Sequence, residues 1–211
     1  IYAANGAGQV LQIDTTSSDY TWIGDPIYSG NGVGWGDPIV GADKCIYWPP
    51  CNANRVIKFD PETQQLPSLV GGEDLGGEEN WKWMVGALAT NDGTIYCVPY
   101  SASNILAIDP FKELSMTLQN NLRQHPQELG RLFAKDEEEG CDETFYDSAV
   151  RKFGIEKVFQ LIEECLPTDE EWSDAHSNAL PLFMVAASCE NCAASVIYYF
   201  LRRNVHALLA N

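Results

Sequence analysis

Basic side chains are scarce in this sequence. Thirteen Lys and Arg stand against 30 Asp and Glu in 211 residues, for a formal net charge of −17. Such a surface repels phosphate, which argues against nucleic acid and anionic membrane surfaces as partners. No stretch of 18 apolar residues occurs, so no membrane-spanning helix and no membrane insertion are expected. The sequence starts at Ile1, without an initiating Met or a signal-peptide pattern, and reads as a fragment or a trimmed product. Histidine is rare: His125, His176 and His206 all fall in the second half, and none sits in a GxSxG, HExxH or Cys/His nucleophile pattern. No catalytic residue, metal site or cofactor is assigned, and the expectation leans against an enzyme. The seven cysteines (Cys45, Cys51, Cys97, Cys141, Cys165, Cys189, Cys192) are odd in number and lack framework spacing, unlike a secreted disulfide scaffold. They read as buried, reduced thiols in an intracellular, cytoplasmic protein.

What is present is a folding sequence. Hydrophobic residues make up 45% and aromatics 11% of the chain, enough for a core in one or two domains. Composition breaks near Pro110: residues 1–110 hold 14 of the 17 Gly, 8 of the 11 Pro and 5 of the 6 Trp. Charge does not break there, with a net −9 before and −8 after. The boundary therefore marks a change of architecture, with one domain over 1–110 and a helical one over 111–211.

The first half repeats itself. The segment from Cys45 to Pro61, with Ile46-Tyr47, Pro50, Ala53, Val56-Ile57-x-Phe59 and Asp60-Pro61, lies 49 residues before Thr94 to Pro110, with Ile95-Tyr96, Pro99, Ala102, Ile105-Leu106-x-Ile108 and Asp109-Pro110. A third copy opens the chain at Ile1-Tyr2 and Val10-Leu11-Gln12-Ile13-Asp14. Upstream, the segment from Trp35 to Asp43 corresponds to Trp83 to Gly93 with small gaps. Repeats of this length mark propeller blades or stacked arrays. Four short strands are predicted per unit: Trp83–Ala89, Thr94–Val98, Asn104–Ile108, and one near Leu66–Val70 of the preceding unit. Asp92-Gly93 predicts a hairpin turn. Asp14, Asp60 and Asp109, each at a strand end, predict turn capping in preference to a calcium-binding array.

On Trp83, Gly86, Asp92-Gly93, Ile95-Tyr96, Pro99, Ala102, Ile105-Leu106 and Ile108-Asp109-Pro110, the first half resembles a family of β-propeller-like, loosely kelch-like repeat proteins of algae and other protists. The resemblance implies a repeat type that serves mostly as a binding platform. Two units and part of a third are fewer than the about 4–8 blades of a closed propeller. Open sheet edges are expected, with missing blades or another subunit covering them.

The second half reads as helical. Val150, Phe153, Val158, Ile162 and Cys165 form one apolar stripe, and Val196, Ile197, Phe200, Leu201, Leu208 and Leu209 another. Thr168-Asp169-Glu170-Glu171 predicts a capping box, Pro126 a helix start, and Asp136–Glu139 a solvated acidic loop. The run from Leu180 to Ala187, with Pro181 as opener, followed by Val196 to Leu201, resembles a degenerate ankyrin repeat, although Phe183 stands where such repeats usually carry His. An αα-hairpin bundle is the alternative. The predicted fold is thus α+β: an incomplete antiparallel β-propeller-like array followed by an ankyrin-like or αα-hairpin domain.

Cys189-Glu190-Asn191-Cys192 is a CxxC without a second one, and reads as helical-repeat cysteines in preference to zinc or redox chemistry. The polar-aromatic stretch from Glu73 to Trp83 carries more. Trp81 and Trp83 are two apart and would share one face of a strand. Trp35 and Trp83 recur in register and read as core. Trp81 has no counterpart, so Trp81 with Asp74, Glu78 and Glu79 is the predicted ligand-contacting rim. The expected function is a non-catalytic protein-interaction scaffold with a basic protein partner, since repeat arrays present broad surfaces and the chain is acidic. The alternatives are a metal-dependent propeller hydrolase or lactonase-like enzyme, and a carbohydrate-binding module using the Trp81 rim.

Overall fold

A computed structural model describes residues 1–30, 32–72, 74–75, 80–120, 132–133, 144–165, 182–188, 192 and 194–203 of this chain. It is an α+β protein with two compact units, Ile1–Pro110 and Phe111–Asn211. Three antiparallel sheets make up the first. β1 (Tyr2–Ala4), β2 (Val10–Ile13) and β3 (Tyr20–Ile23) form the first sheet. β4 (Ile39–Val40), β5 (Ile46–Trp48), β6 (Val56–Phe59) and β7 (Ser68–Val70) form the second. β8 (Trp83–Leu88), β9 (Ile95–Pro99) and β10 (Leu106–Ile108) form the third. Each is a meander in which every strand pairs with its neighbour in sequence.

The expectation of four strands per unit is met only in the second sheet. Among the described residues, the first has no counterpart of β4 and the third none of β7, and the sheets do not close into a ring. The repeat nevertheless sets the strands. β5 and β6 recur one repeat later as β9 and β10, with Ile46 opposite Phe59 matched by Ile95 opposite Ile108. At the β8–β9 turn Gly93 takes a φ of 76°, a left-handed conformation that only glycine adopts without strain, and its N–H bonds Ala89 O. Asp14 and Asp60 cap the turns after β2 and β6, accepting the N–H of Thr16 and of Glu62 respectively.

Because side chains alternate along a strand, each residue of the unit has a fixed face. In the second sheet Ile46, Trp48, Ile57 and Phe59 join Val10 and Trp35 in one core cluster, with Tyr2, Ala4 and Ile23 of the first sheet packed against it. The opposite parity, Cys45, Tyr47 and Val56, joins Trp83, Ile95, Cys97 and Ile108 of the third sheet in another. The second sheet is therefore covered on both faces, and β5 is buried along its whole length. Between the second and third sheets the backbones also touch: Asp37 donates its N–H to Met84 O at 2.7 Å. Gly36 makes that approach possible, since a Cβ there would collide with the Met84 carbonyl.

Helices carry the second unit: α1 (Lys112–Leu118), α2 (Phe145–Phe153), α3 (Ile155–Cys165), α4 (Leu182–Ala187) and α5 (Ala194–Arg203) among the described residues. Thr144 starts α2 with a capping box, its Oγ1 accepting the Asp147 N–H at 3.1 Å while its own N–H donates to Asp147 Oδ2. The single stripe expected from Val150 to Cys165 is broken at Gly154, whose φ of 83° ends α2 before α3 begins. As a result α2 buries Tyr146 and Ala149, while Val150 and Phe153 stay half-buried; α3 buries Val158, Leu161, Ile162 and Cys165. Phe159 of α3 stacks on Tyr199 of α5 with ring centroids 4.9 Å apart. The capping box expected at Thr168, the helix start at Pro126, the acidic run Asp136–Glu139, Pro181 and the three histidines lie outside the described residues.

Candidate functional site

Two recurring devices hold the sheets and so fix where the loops emerge. The indole of Trp35 donates through Nε1 to Arg55 O at 2.8 Å, and that of Trp83 donates to Asn104 O at the same distance, one repeat further along the chain. Both Trp side chains are buried between sheets, so these two residues are core anchors. The second device is an Asp–Tyr clamp. Asp43 Oδ1 accepts the Cys45 N–H and Asp43 Oδ2 accepts the Tyr47 hydroxyl at 2.8 Å; Asp92 accepts the Thr94 N–H and the Tyr96 hydroxyl at 3.5 Å in the same way. Lys58 completes the first clamp, with Nζ 3.5 Å from Asp43 Oδ2. Backbone N–H donation, chiefly from Thr94, holds the Asp92 carboxyl below its ordinary value, and the Thr16 and Ser17 N–H groups do the same for Asp14.

The loops converge on the β5–β6 connection. The N–H groups of Cys51, Asn52 and Ala53 all point at Gly34 O, at 2.9–3.0 Å. From the other side Trp81 donates its N–H to Asn52 Oδ1 at 2.8 Å, Leu75 donates to Asn54 O at 2.9 Å, and Lys82 Nζ reaches Asn54 Oδ1 at 3.4 Å. Gly34 from one loop and Leu75, Trp81 and Lys82 from the next thus meet at residues 52–54. Beside them Tyr28, Trp35, Asn52, Asn54 and Arg55 line a cleft of about 280 Å³, and Arg55 is tied across it to Leu69 O at 2.6 Å. A second cleft of about 290 Å³ occupies the equivalent place around Trp83 and Asn104, so the clefts are a product of the repeat and differ in their polar lining. The position of Arg55 is taken by Asn104.

Trp81 and Trp83 do not share a strand face, contrary to the two-residue spacing. Trp81 has a φ of 59° and precedes β8, so the chain turns between the two residues. Trp83 goes into the core at 4% exposure and Trp81 stays out at 43%. The Trp81 backbone is nonetheless fixed, its carbonyl accepting the Ser101 N–H at 3.2 Å. Asp74 is exposed; Glu78 and Glu79 lie outside the described residues. Asn52, Asn54, Arg55 and the buried Lys82 were not singled out by sequence. A signal for the first two exists, since Asn52-Ala53-Asn54 aligns with Ser101-Ala102-Ser103, a polar pair flanking the repeat alanine.

Cys45, Cys51, Cys97 and Cys165 are buried thiols outside any disulfide, and Cys192 is a half-buried one; the rest of the CxxC lies outside the described residues. Burial pushes the Cys97 thiol up to about 11, and burial also raises that of Cys51 against the opposing charge of Lys82. Among the described residues no group of three or more His, Cys, Asp or Glu is placed to hold a metal ion, and no helix is long and apolar enough to cross a membrane. Compared with family models, curated proteins and solved structures, the chain matches none.

Proposed function

We propose that this chain is a non-catalytic protein-recognition scaffold, with a β-propeller-like repeat array over 1–110 and an ankyrin-like or αα-hairpin unit over 111–211, and that it binds a basic protein segment at the Trp81 rim. The observation that carries this reading is the contrast among the tryptophans. Trp35 and Trp83 serve the core, whereas Trp81 stands exposed on a backbone held at both its N–H and its carbonyl. An exposed indole on a fixed backbone loses little conformational entropy on binding, and Trp is a preferred anchor at interfaces. Its face attracts Lys and Arg. The same stretch carries Glu73, Asp74, Glu78 and Glu79 in a chain of net −17, which favours a basic partner through encounter rate and register.

The test is a titration of a fluorescent Lys/Arg-rich peptide, with an acidic peptide as control. Preferential binding of the basic peptide is expected, weakening with salt and falling about tenfold or more in Trp81→Ala. Equal binding of both peptides, or an unchanged Trp81→Ala, overturns the reading. The exposed indole beside carboxylates also suits a sugar, whose apolar face stacks on Trp while its hydroxyls donate to acids. Saturable quenching of tryptophan fluorescence by a glycan, abolished in Trp81→Ala, would move the assignment to a carbohydrate-binding module.

A further inference from the structure

The second sheet shows what each face of the repeat unit packs against, and each end sheet repeats one of those faces with no cover among the described residues of the sheet unit. On the first sheet the residues paired with or flanking Leu11 point away from the core cluster: Ile1, Ala3, Leu11 and Ile13 occupy the repeat positions of Ile46, Trp48, Ile57 and Phe59. In the second sheet those four are buried against its predecessor. Tyr20 and Trp22, paired with Ile13 and Leu11, extend the outer face and are exposed.

On the third sheet the reverse holds. Tyr96 and Ile105 occupy the positions of Tyr47 and Val56. Tyr47 and Val56 are each 2% exposed, packed against the following sheet, whereas Tyr96 is 42% and Ile105 66% exposed. Val85 and Val98, paired across β8 and β9, widen this patch. Neither outer face carries a charged side chain among these residues, in a chain with 43 of them. Exposed apolar patches of this kind mark interaction sites.

We propose that two copies of this chain associate head to tail, the outer face of the third sheet of each seated on the outer face of the first sheet of the other. The occupant follows from continuity with the stacking already present, because the two faces are the repeat equivalents of surfaces that pack together twice within one chain. A reciprocal pair has two identical interfaces and closes a ring of six sheets, within the about 4–8 of closed propellers. Each copy carries a net −17, so the apolar contact forms against charge repulsion and is strengthened by salt. This salt response is opposite in sign to that of the basic-partner site, so the two proposals stand or fall separately.

Sedimentation analysis of the chain at about 100 µM, where a Kd of about 10 µM leaves most of it dimeric, is expected to give twice 23.4 kDa, with tighter association at higher salt. Val98→Glu with Ile105→Glu blocks one face, and Tyr20→Glu with Trp22→Glu blocks the other. All four side chains are exposed, so unchanged circular dichroism is expected in each double variant, together with at least tenfold weaker self-association. Val98→Ser with Ile105→Ser is the milder substitute where the charged pair disturbs folding. The decisive result is the mixture: the two blocked variants share one intact pair of faces, half of the parent's contact, and the mixture is expected to associate more weakly than the parent but measurably more than either variant alone. A monomeric parent chain, assemblies larger than the dimer, blocked variants that associate as tightly as the parent, or a mixture that associates no more than its components each overturns the proposal. The last would point to like faces meeting, or to a different cover such as the helical unit.

Discussion

The second and third sheets contain one hydrogen-bonded unit in two settings. Asp43–Tyr47 and Asp92–Tyr96 are the same clamp in successive copies of the repeat, yet the first closes at 2.8 Å with Lys58 beside it and the second stands at 3.5 Å in solvent. The motif determines which atoms meet, and the covering sheet decides how much that meeting contributes. A hydrogen bond shielded from water is electrostatically stronger, and its loss leaves a partner stranded. The clamp is thus locally encoded and remotely strengthened.

This comparison can be broken where it claims equality. Trp35→Ala and Trp83→Ala remove the same buried anchor from two units, and each is expected to lower unfolding stability by about 3–5 kcal/mol. Urea denaturation followed by tryptophan fluorescence suits the measurement, since 5 of the 6 tryptophans lie in the sheet unit. Costs differing by more than about 2 kcal/mol would show that the two units are not energetically equivalent even at their shared core.

The claim of inequality is tested by the clamps. Asp43→Ala removes the acceptor of the buried Tyr47 hydroxyl and the carboxylate beside Lys58, and is expected to cost about 2–4 kcal/mol; Asp92→Ala, at an exposed turn, is expected to cost clearly less. A smaller step in the same direction is expected for the tyrosines, about 1–2 kcal/mol for Tyr47→Phe and below about 0.5 kcal/mol for Tyr96→Phe. If the proposed head-to-tail association forms, it covers Tyr96, and the gap between the pairs should then narrow at high protein concentration.

Much of the sheet unit was legible because its determinants are short-range. Asp92-Gly93, the Asp–Tyr clamp and the indole hydrogen bond of each recurring Trp lie within one unit, so a constant repeat spacing carries them intact. The faces are a different matter. Nothing in the order of residues says that Ile46 meets the first sheet and Ile95 the second, because that depends on which sheet lies next. Trp81 leaves the face of Trp83 for a local reason: its positive φ is a backbone choice that no apolar pattern announces. The Thr144 capping box carries no sequence mark of the usual kind, because its N3 residue is Asp147 where Glu or Gln is typical. The first sheet's β3 is the structural counterpart of β7, Trp22 standing opposite Leu11 as Leu69 stands opposite Ile57, but the two strands share no residues that would mark the match in sequence.

The smallest expected effects concern pH. Asp14 and Asp92 titrate below their unfolded value of 3.8 because turn N–H groups bond their carboxylates. Their contribution is present above that value and is lost as pH falls through the folded ones. Asn at either position should flatten the acid limb of a stability-against-pH curve, and an unaltered limb would show that the turns hold without charge. Cys97 works at the other end. With its thiol raised to about 11 from 9.0, its contribution is complete below 9.0 and is lost as pH rises through the folded value. Cys97→Ser removes that alkaline dependence.

Gly36 carries a consequence for how such an array tolerates change. Where Asp37 meets Met84, the distance between neighbouring sheets is gauged by peptide atoms, which every sequence possesses. Substitutions on the packed faces can leave gaps or fill them, but the pitch of the stack is held by a ruler that mutation of side chains does not shorten. Drift among the copies, from Trp48 to Cys97 or from Phe59 to Ile108, is then drift in filling at constant spacing. At this contact the residue that cannot drift is the glycine that lets the ruler touch.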